Sequence, residues 1–202
     1  AFARVSHRID PVSTGRAKRL PDGSHVIIPN ATVSAATFET GPFCYVQSGL
    51  GIGGIRLLGR VIPRGKTVTV YGDLDTVSGE KVVRVTAIEN TQPDMTVSPV
   101  GMPNKCIGGV SGPNDTGMLI RSWGRVGRID AAAKSFYVND GSGTGIKCIA
   151  PRNPADGVGP SAAFNPPADN AYVTVTGISS LENDANGNPV RVLRLRDSTD
   201  MY

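Results

Sequence analysis

The stretch that decides the fold is residues 136–149, FYVNDGSGTGIKCI, because residues 43–58, FCYVQSGLGIGGIRLL, have the same pattern earlier in the chain. Each stretch is an apolar run, a glycine-rich turn and a second apolar run, which is typical of a β-hairpin. Two further strand-like runs follow each hairpin, at 66–74 and 81–88 in the first half and at 171–178 and 189–195 in the second. The repeat predicts a tandem array of one β-rich module.

Each repeat is predicted to form a five-stranded barrel. Its order is a long bent strand, a glycine-rich hairpin, a connection and a final hairpin, as in an OB-type Greek-key barrel. Gly124 and Gly127 interrupt the first strand of the second repeat, where a small barrel needs a sharp bend. We therefore expect an all-β fold of two tandem five-stranded OB-like Greek-key barrels with an extended N-terminal arm. The predicted divisions are an arm at 1–19, a first barrel at 20–90, a Pro/Gly-rich connector at 91–116 and a second barrel at 117–202.

Several short motifs resemble the tandem OB-like modules of secreted bacterial proteins. They lie at residues 20–23 (LPDG), 108–109 (GG), 117–126 (GMLIRSWGRV), 136–143 (FYVNDGSG) and 173–177 (VTVTG). The resemblance covers residues 17–200 and implies the OB fold and a secreted location. Modules of this kind are often labelled nucleic-acid-binding OB folds, although a fold does not by itself establish an activity.

The positive charge of the chain is concentrated at its N-terminus. Residues 1–19 hold five basic side chains against Asp10, so the formal net charge of +4 lies in this segment, and residues 20–202 are neutral overall. A neutral globular part has no overall positive field to attract phosphates. The segment is polar and aperiodic, so we expect an extended arm that is not needed for either barrel to fold.

An extended arm suggests assembly, because a strand or strap can add to the open sheet edge of a neighbouring subunit. We therefore expect a non-catalytic extracellular structural subunit, such as a filament protomer on a bacterial surface, that self-associates through its arm. The chain begins Ala-Phe-Ala, and small residues of this kind occur at signal-peptidase junctions, which favours secretion. The arm residues predicted to dock on a neighbour are Phe2, Arg4, Val5, Arg8, Ile9, Arg16 and Arg19.

The alternative is a secreted OB module that binds single-stranded nucleic acid or an oligosaccharide. OB barrels bind single strands through aromatic stacking and a basic groove. The candidate ligand face consists of Tyr45, Arg56, Arg121, Trp123, Arg125, Tyr137 and Lys147. Aromatic residues make up only 5% of the chain. We expect Phe43 and Phe136 to point into the barrel cores, and Trp123 to be a core or bend residue.

Catalytic and metal-binding patterns are sparse. The two histidines, His7 and His25, stand in no recognisable nucleophile–base arrangement, so we expect no enzymatic activity and no cofactor. The three cysteines fit no metal-ligand spacing, so no metal site is predicted. Cys44 and Cys148 suit small apolar core positions. A disulfide between Cys106 and Cys148 is the alternative for an extracellular protein.

Two further sequence features bear on location. Asn30 and Asn114 begin triplets that match the N-glycosylation pattern. No run approaches the length of about 20 apolar residues that crosses a membrane as a helix, so no membrane span is predicted.

Overall fold

The computed structural model describes residues 10–48, 53–108 and 114–202, which are almost entirely strands and turns. The first half contains β1 (His25–Ala35), β2 (Phe43–Ser48), β3 (Gly54–Leu58), β4 (Thr67–Val77), β5 (Glu80–Gln92) and β6 (Val100–Gly101). The second half contains β7 (Leu119–Asp130), β8 (Ser135–Asn139), β9 (Gly145–Ile149), β10 (Tyr172–Asn183) and β11 (Pro189–Arg194). Helix α1 (Thr14–Ala17) and two 3-10 turns (Asn104–Cys106 and Ser198–Asp200) complete the described elements.

Some sequence predictions fall outside the described residues. They concern the arm residues Phe2, Arg4, Val5, Arg8 and Ile9, the glycine-rich turn at 49–52 and the glycine at 109. Among the residues that the structure does describe, no helix has the length and apolar character needed to span a bilayer.

The two halves have the same strand order. The first barrel closes in the order β1–β2–β3–β5–β4, and the second in the order β7–β8–β9–β11–β10, with β10 pairing back to β7. In each barrel the third and fifth strands are parallel and the other pairs are antiparallel. This is OB topology, so the predicted fold class of two five-stranded OB-like barrels is confirmed. Strand β6 adds to the second barrel beside β7.

Strand alternation places one face of each hairpin in a core. In β2, Cys44 and Val46 point into the first barrel, and Phe136 and Val138 do the same in the second. Cys44 pairs with Leu57, as Phe136 pairs with Cys148, so Cys44 occupies the position of Phe136. The prediction that Phe43 points into the core is therefore wrong. Phe43 is adjacent to Cys44, so its side chain points to the opposite face of β2 and lies half-buried against the second barrel.

All three cysteines are free thiols. The predicted Cys106–Cys148 disulfide is wrong, because Cys148 points into the core from β9 while Cys106 lies in a 3-10 turn. Burial raises the pKa of Cys44 to about 12 and also raises the pKa of Cys148. Both thiols therefore act as small apolar core groups, as the sequence predicted.

The segment at 10–19 packs on its own barrel. Val12 and Ala17 are buried in the core of the first barrel, and the Thr14 amide donates to the Ser48 hydroxyl at 2.9 Å. Arg16 and Arg19 are exposed on this segment. The expectation of a separable arm is therefore wrong for residues 10–19, because removing them would uncover apolar core.

The second half of the connector is bound to the second barrel. Ile107 is fully buried in the core of that barrel. Asn104 donates through Nδ2 to the Val138 carbonyl at 2.7 Å and accepts from the Ser122 hydroxyl at 2.6 Å. The two asparagines of the glycosylation triplets, Asn30 and Asn114, are exposed, and their glycosylation stays a prediction.

The barrels pack through the outer face of β2 and β3. Tyr45 is fully buried there in an apolar cluster with Leu119 and Ile178 of the second barrel. The Gln47 side-chain oxygen accepts from the Leu119 amide at 2.7 Å. Gly54 lies so close to the backbone at Gly117 that a Cβ would overlap its carbonyl. The contact is therefore tight at the level of the main chain.

A buried polar cluster lies at the centre of this contact, and we call its members Tyr45, Arg56, Glu80, Ser180 and Arg194 the barrel-junction cluster. The Glu80 carboxylate accepts from Arg56, from the Tyr45 hydroxyl at 3.3 Å and from the Ser180 hydroxyl at 3.0 Å. Arg194 donates to the Ser180 hydroxyl at 3.0 Å. The Glu80 and Arg56 side chains both belong to the first barrel and are 1% and 6% exposed. A buried charged pair therefore lies at the junction and contacts the second barrel through Ser180.

Replacing Glu80→Ala should lower the free energy of unfolding by about 3–5 kcal/mol, because the Arg56 guanidinium would stay buried without its carboxylate. Urea denaturation followed by circular dichroism measures this loss. The matched control is Asp75→Ala, which removes the partner of the exposed Arg84 and should cost at most about 1 kcal/mol. Equal losses in the two variants would contradict a stabilising role for the junction cluster.

Candidate ligand-binding groove on the second barrel

The outer face of the second barrel carries an open groove of about 800 Å³. Strands β7 and β8 form its floor, and the β8–β9 turn and residues 170–172 form its sides. Its aromatic lining residues are Trp123, Tyr137 and Tyr172, and its charged ones are Arg125, Arg128 and Asp140.

The aromatic side chains of the groove are open to solvent. Trp123 is 50% exposed and Tyr172 is 81% exposed. Trp123 points outward because its neighbours Ser122 and Gly124 face the barrel interior. Its expected place in a core is therefore wrong, although it does adjoin Gly124, the glycine at the bend of β7. Tyr172 comes from β10, where it pairs with Arg125 beside Trp123.

Two arginines stand among these aromatic side chains. Arg125 donates to the Asn170 side-chain oxygen at 2.6 Å, and the Arg128 guanidinium lies 5.5 Å from the centre of the Tyr137 ring. Arg128 reaches this face because the β7–β8 register shifts between Gly127 and Asp130, and its own φ is 49°. Within the described chain, neither arginine forms an ion pair with a carboxylate.

The groove lining holds one carboxylate among the described residues, that of Asp140. Its oxygens accept from the backbone amides of Asn104 at 2.7 Å and Ser142 at 2.9 Å. Partial burial opposes its ionisation, but hydrogen bonds from Ser142 and Asn104 hold the pKa of Asp140 below its usual value. Asp140 therefore stays ionised and fixes the loop, and the lining remains net positive.

A glycine allows β7 to bend at the groove. Gly124 has φ +151°, and a Cβ at this position would overlap the Asn139 carbonyl. The β7 backbone thus lies against the end of β8, which brings Trp123 and Tyr137 to the same face. The prediction that a glycine marks a strand bend here is consistent with this geometry.

The structure brings together three of the seven predicted ligand-face residues, namely Trp123, Arg125 and Tyr137. The assignment of Tyr45 and Arg56 to a ligand face is wrong, because both are buried at the barrel junction. Arg121 lies on β7 beyond the groove.

Lys147 does not line the groove, and its ammonium pairs with Glu182 at 2.6 Å. Sequence reasoning missed Tyr172 and Arg128. Period-two alternation along β10 could have found Tyr172. The β-bulge that reorients Arg128 has no comparable pattern in the sequence.

In the first barrel, the described residues at the matching hairpin positions, Tyr45 and Arg56, are buried at the barrel junction. Tyr45 pairs with Arg56 across β2 and β3 as Tyr137 pairs with Lys147 across β8 and β9. The two pairs are therefore equivalent positions of the repeat. The second barrel covers the face of the first barrel that carries Tyr45. On the second barrel itself, Tyr137 of the equivalent face lines the groove.

No protein-family model matches the chain, and no curated protein is similar to it in sequence. Among solved structures, p202 HIN1 in complex with 12-mer dsDNA is similar with a TM-score of 0.37 and 12% identity, covering 100% of this chain and 98% of that one. The Ifi202 HINa domain in complex with 20bp dsDNA gives a TM-score of 0.36 and 14% identity, covering 91% and 96%. A murine DNA binding protein bound to ds DNA gives 0.36 and 13%, covering 85% and 90%.

Replacing Gly124→Ala should destabilise the second barrel by about 2 kcal/mol or more, because the added methyl meets the Asn139 carbonyl in a backbone region that favours glycine. Thermal and urea unfolding measure the change. Gly101→Ala is the control, since nothing lies within 4 Å of a Cβ there, and it should stay within about 0.5 kcal/mol. A tolerated Gly124→Ala would show that the bend does not need glycine.

Proposed function

We propose that this chain is a non-catalytic module that binds single-stranded nucleic acid in the groove of its second barrel. The observation that carries the proposal is the grouping of three solvent-accessible aromatic rings with two guanidinium groups that have no carboxylate partner in the described chain. Aromatic rings stack on bases, and arginines attract the phosphates and stack on bases as well. Enzymatic activity is not part of the proposal.

Stacking favours a single strand over a duplex. The faces of bases in a duplex are covered by neighbouring bases, whereas those of a single strand can lie on Trp123, Tyr137 or Tyr172. Every base has such a face, so binding of this kind tolerates many sequences. The open groove between β7 and the β8–β9 turn gives a strand access from solvent.

The placement of charge supports local attraction of phosphates. Residues 20–202 are neutral overall, which predicted weak nucleic-acid binding. Many carboxylates, however, are paired elsewhere, such as Asp94 with Lys66 and Asp22 with Lys81. Arg125 and Arg128 outnumber Asp140 in the groove lining, which therefore keeps a net positive charge. Such a groove can focus a positive field although the whole domain is neutral.

The assembly function predicted from the sequence has less support in the folded chain. A head-to-tail polymer could repeat the barrel junction, in which Leu119 and Ile178 contact Tyr45. In the first barrel, the matching positions are occupied by His25 and Asp73. Asp73 follows Gly72 and pairs with His25, just as Ile178 follows Gly177 and pairs with Leu119. This polar pair is a poor partner for an aromatic face. Self-association through residues 1–9 and a secreted location stay predictions.

The proposed stacking predicts that Trp123→Ala and Tyr137→Ala each weaken binding of a single-stranded oligothymidylate by about 1–3 kcal/mol, because each removes one base contact. Fluorescence anisotropy of a labelled oligonucleotide measures the change. Trp123 is the single tryptophan, so quenching of its emission reports stacking directly in the unmodified protein. Tyr71→Ala on β4, outside the groove, is the matched control and should leave affinity unchanged.

Salt and ligand comparisons separate the alternatives. Binding should weaken as salt rises, because phosphate contacts release counterions. Quenching of Trp123 by neutral oligosaccharides, without a salt dependence, would instead identify a carbohydrate groove. If neither ligand class quenches Trp123 at low salt, the proposed function is wrong.

A further inference from the structure

A second cavity, of about 390 Å³, lies where the two barrels meet. Val33 and Arg64 of the first barrel line one side, and Leu119 and Arg121 of β7 line the other. Met95, from the connector, lies at the same cavity. The cavity therefore depends on the relative position of both barrels.

The cavity and the groove lie along the same pair of strands. Arg121 lines the cavity and Trp123 lines the groove, and both point outward from β7. On the paired strand β10, Thr176 lies opposite Arg121 and Thr174 lies opposite Trp123. Successive outward residues of a strand are about 7 Å apart. A nucleic-acid strand with a base stacked on Trp123 therefore needs one further nucleotide to reach Arg121.

Arg121 has donors that the fold does not use. It is exposed, and its Nε donates to the Thr176 hydroxyl at 3.1 Å. It forms no ion pair with any carboxylate of the described residues. The other arginines of the cavity are paired: Arg64 lies 2.6 Å from Asp197, and Arg196 lies 2.5 Å from Asp200.

The rest of the cavity wall is mixed in chemistry. Met95 and Val97 give an apolar surface, and Thr96 and Thr199 add hydroxyl-bearing side chains. Ligand cavities of this kind hold an apolar or flat group with a few polar groups for orientation. A guanidinium at the side facing the groove suits a phosphate oxygen, to which it can donate two hydrogen bonds.

We propose that the interdomain cavity is a second subsite for the same nucleic-acid strand, with a phosphate on Arg121 and the adjoining nucleotide in the cavity. This inference rests on the proposed function of the groove. The strand would follow β7 from Arg128 to Arg121, a distance of about 23 Å, and would contact both barrels. Affinity should therefore depend on strand length, and the dependence should require Arg121.

The experiment compares oligothymidylates of about 4 and about 12 nucleotides, which bracket the site sizes of single OB folds. The full chain, Arg121→Gln, Arg121→Lys and Trp123→Ala are titrated against both strands at several salt concentrations. Arg84→Gln, an exposed arginine that lines neither cavity, is the control. Circular dichroism and urea unfolding show that each variant is folded.

We expect Arg121→Gln to weaken the longer strand about tenfold, the loss of one charge-assisted hydrogen bond, and to lower its salt slope by about one. The shorter strand, held in the groove, should bind as before. Arg121→Lys should keep the salt slope, and Trp123→Ala should weaken both strands. If Arg121→Gln leaves both strands unchanged while Trp123→Ala weakens them, the second subsite is wrong and the groove stands. If the unmodified chain binds neither strand, both proposals are wrong.

Discussion

The carboxylate of Glu80 is the group on which the arrangement of the two barrels depends. It belongs to the first barrel, accepts from Arg56 of that barrel, and accepts from Ser180 of the second. The Arg56 and Arg194 guanidiniums also lie 4.7 Å and 5.8 Å from the centre of the Phe43 ring. Each of these groups needs the others, because a charge or hydroxyl buried here alone would be costly. The junction in turn positions the interdomain cavity and covers, in the first barrel, the face that borders the groove in the second.

The same surface of the repeat is thus buried between the barrels in the first copy and open to solvent in the second. Tyr45 with Arg56, and Tyr137 with Lys147, occupy the same positions of the barrel. The first pair is an internal contact and the second borders open solvent. Leu119 and Ile178 give the second barrel an apolar contact surface, whereas the matching residues of the first barrel, His25 and Asp73, are polar. Different side chains at a few outward positions are therefore enough to produce this difference. The inward residues are apolar in both copies, with Phe136 of the second barrel at the position of Cys44.

The repeat, turn chemistry and period-two pattern were sufficient to predict the barrels, because these signals are local. The errors have three physical causes. Phe43 was assigned to the wrong face because a shift of one residue reverses the direction of a strand side chain. Arg128 was missed because a bulge reorients it. Tyr45 was assigned to a ligand face because its outward position in β2 suggests exposure. Its burial comes from packing between the two barrels, which the residue pattern of a single strand does not reveal. Overall neutrality also concealed the local excess of guanidinium groups along β7, since pairing of carboxylates elsewhere is a tertiary property.

The shared junction also bears on how the chain unfolds. A first barrel without its partner would expose Phe43 and Tyr45 and would leave the Arg56–Glu80 pair at a surface, so it would lose part of its own stabilisation. The second barrel would expose Leu119 and Ile178 in the same way. Two domains that each complete the other's surface melt together, as the members of a repeat array do when their interfaces are strong. We therefore expect the two barrels to unfold as one cooperative unit.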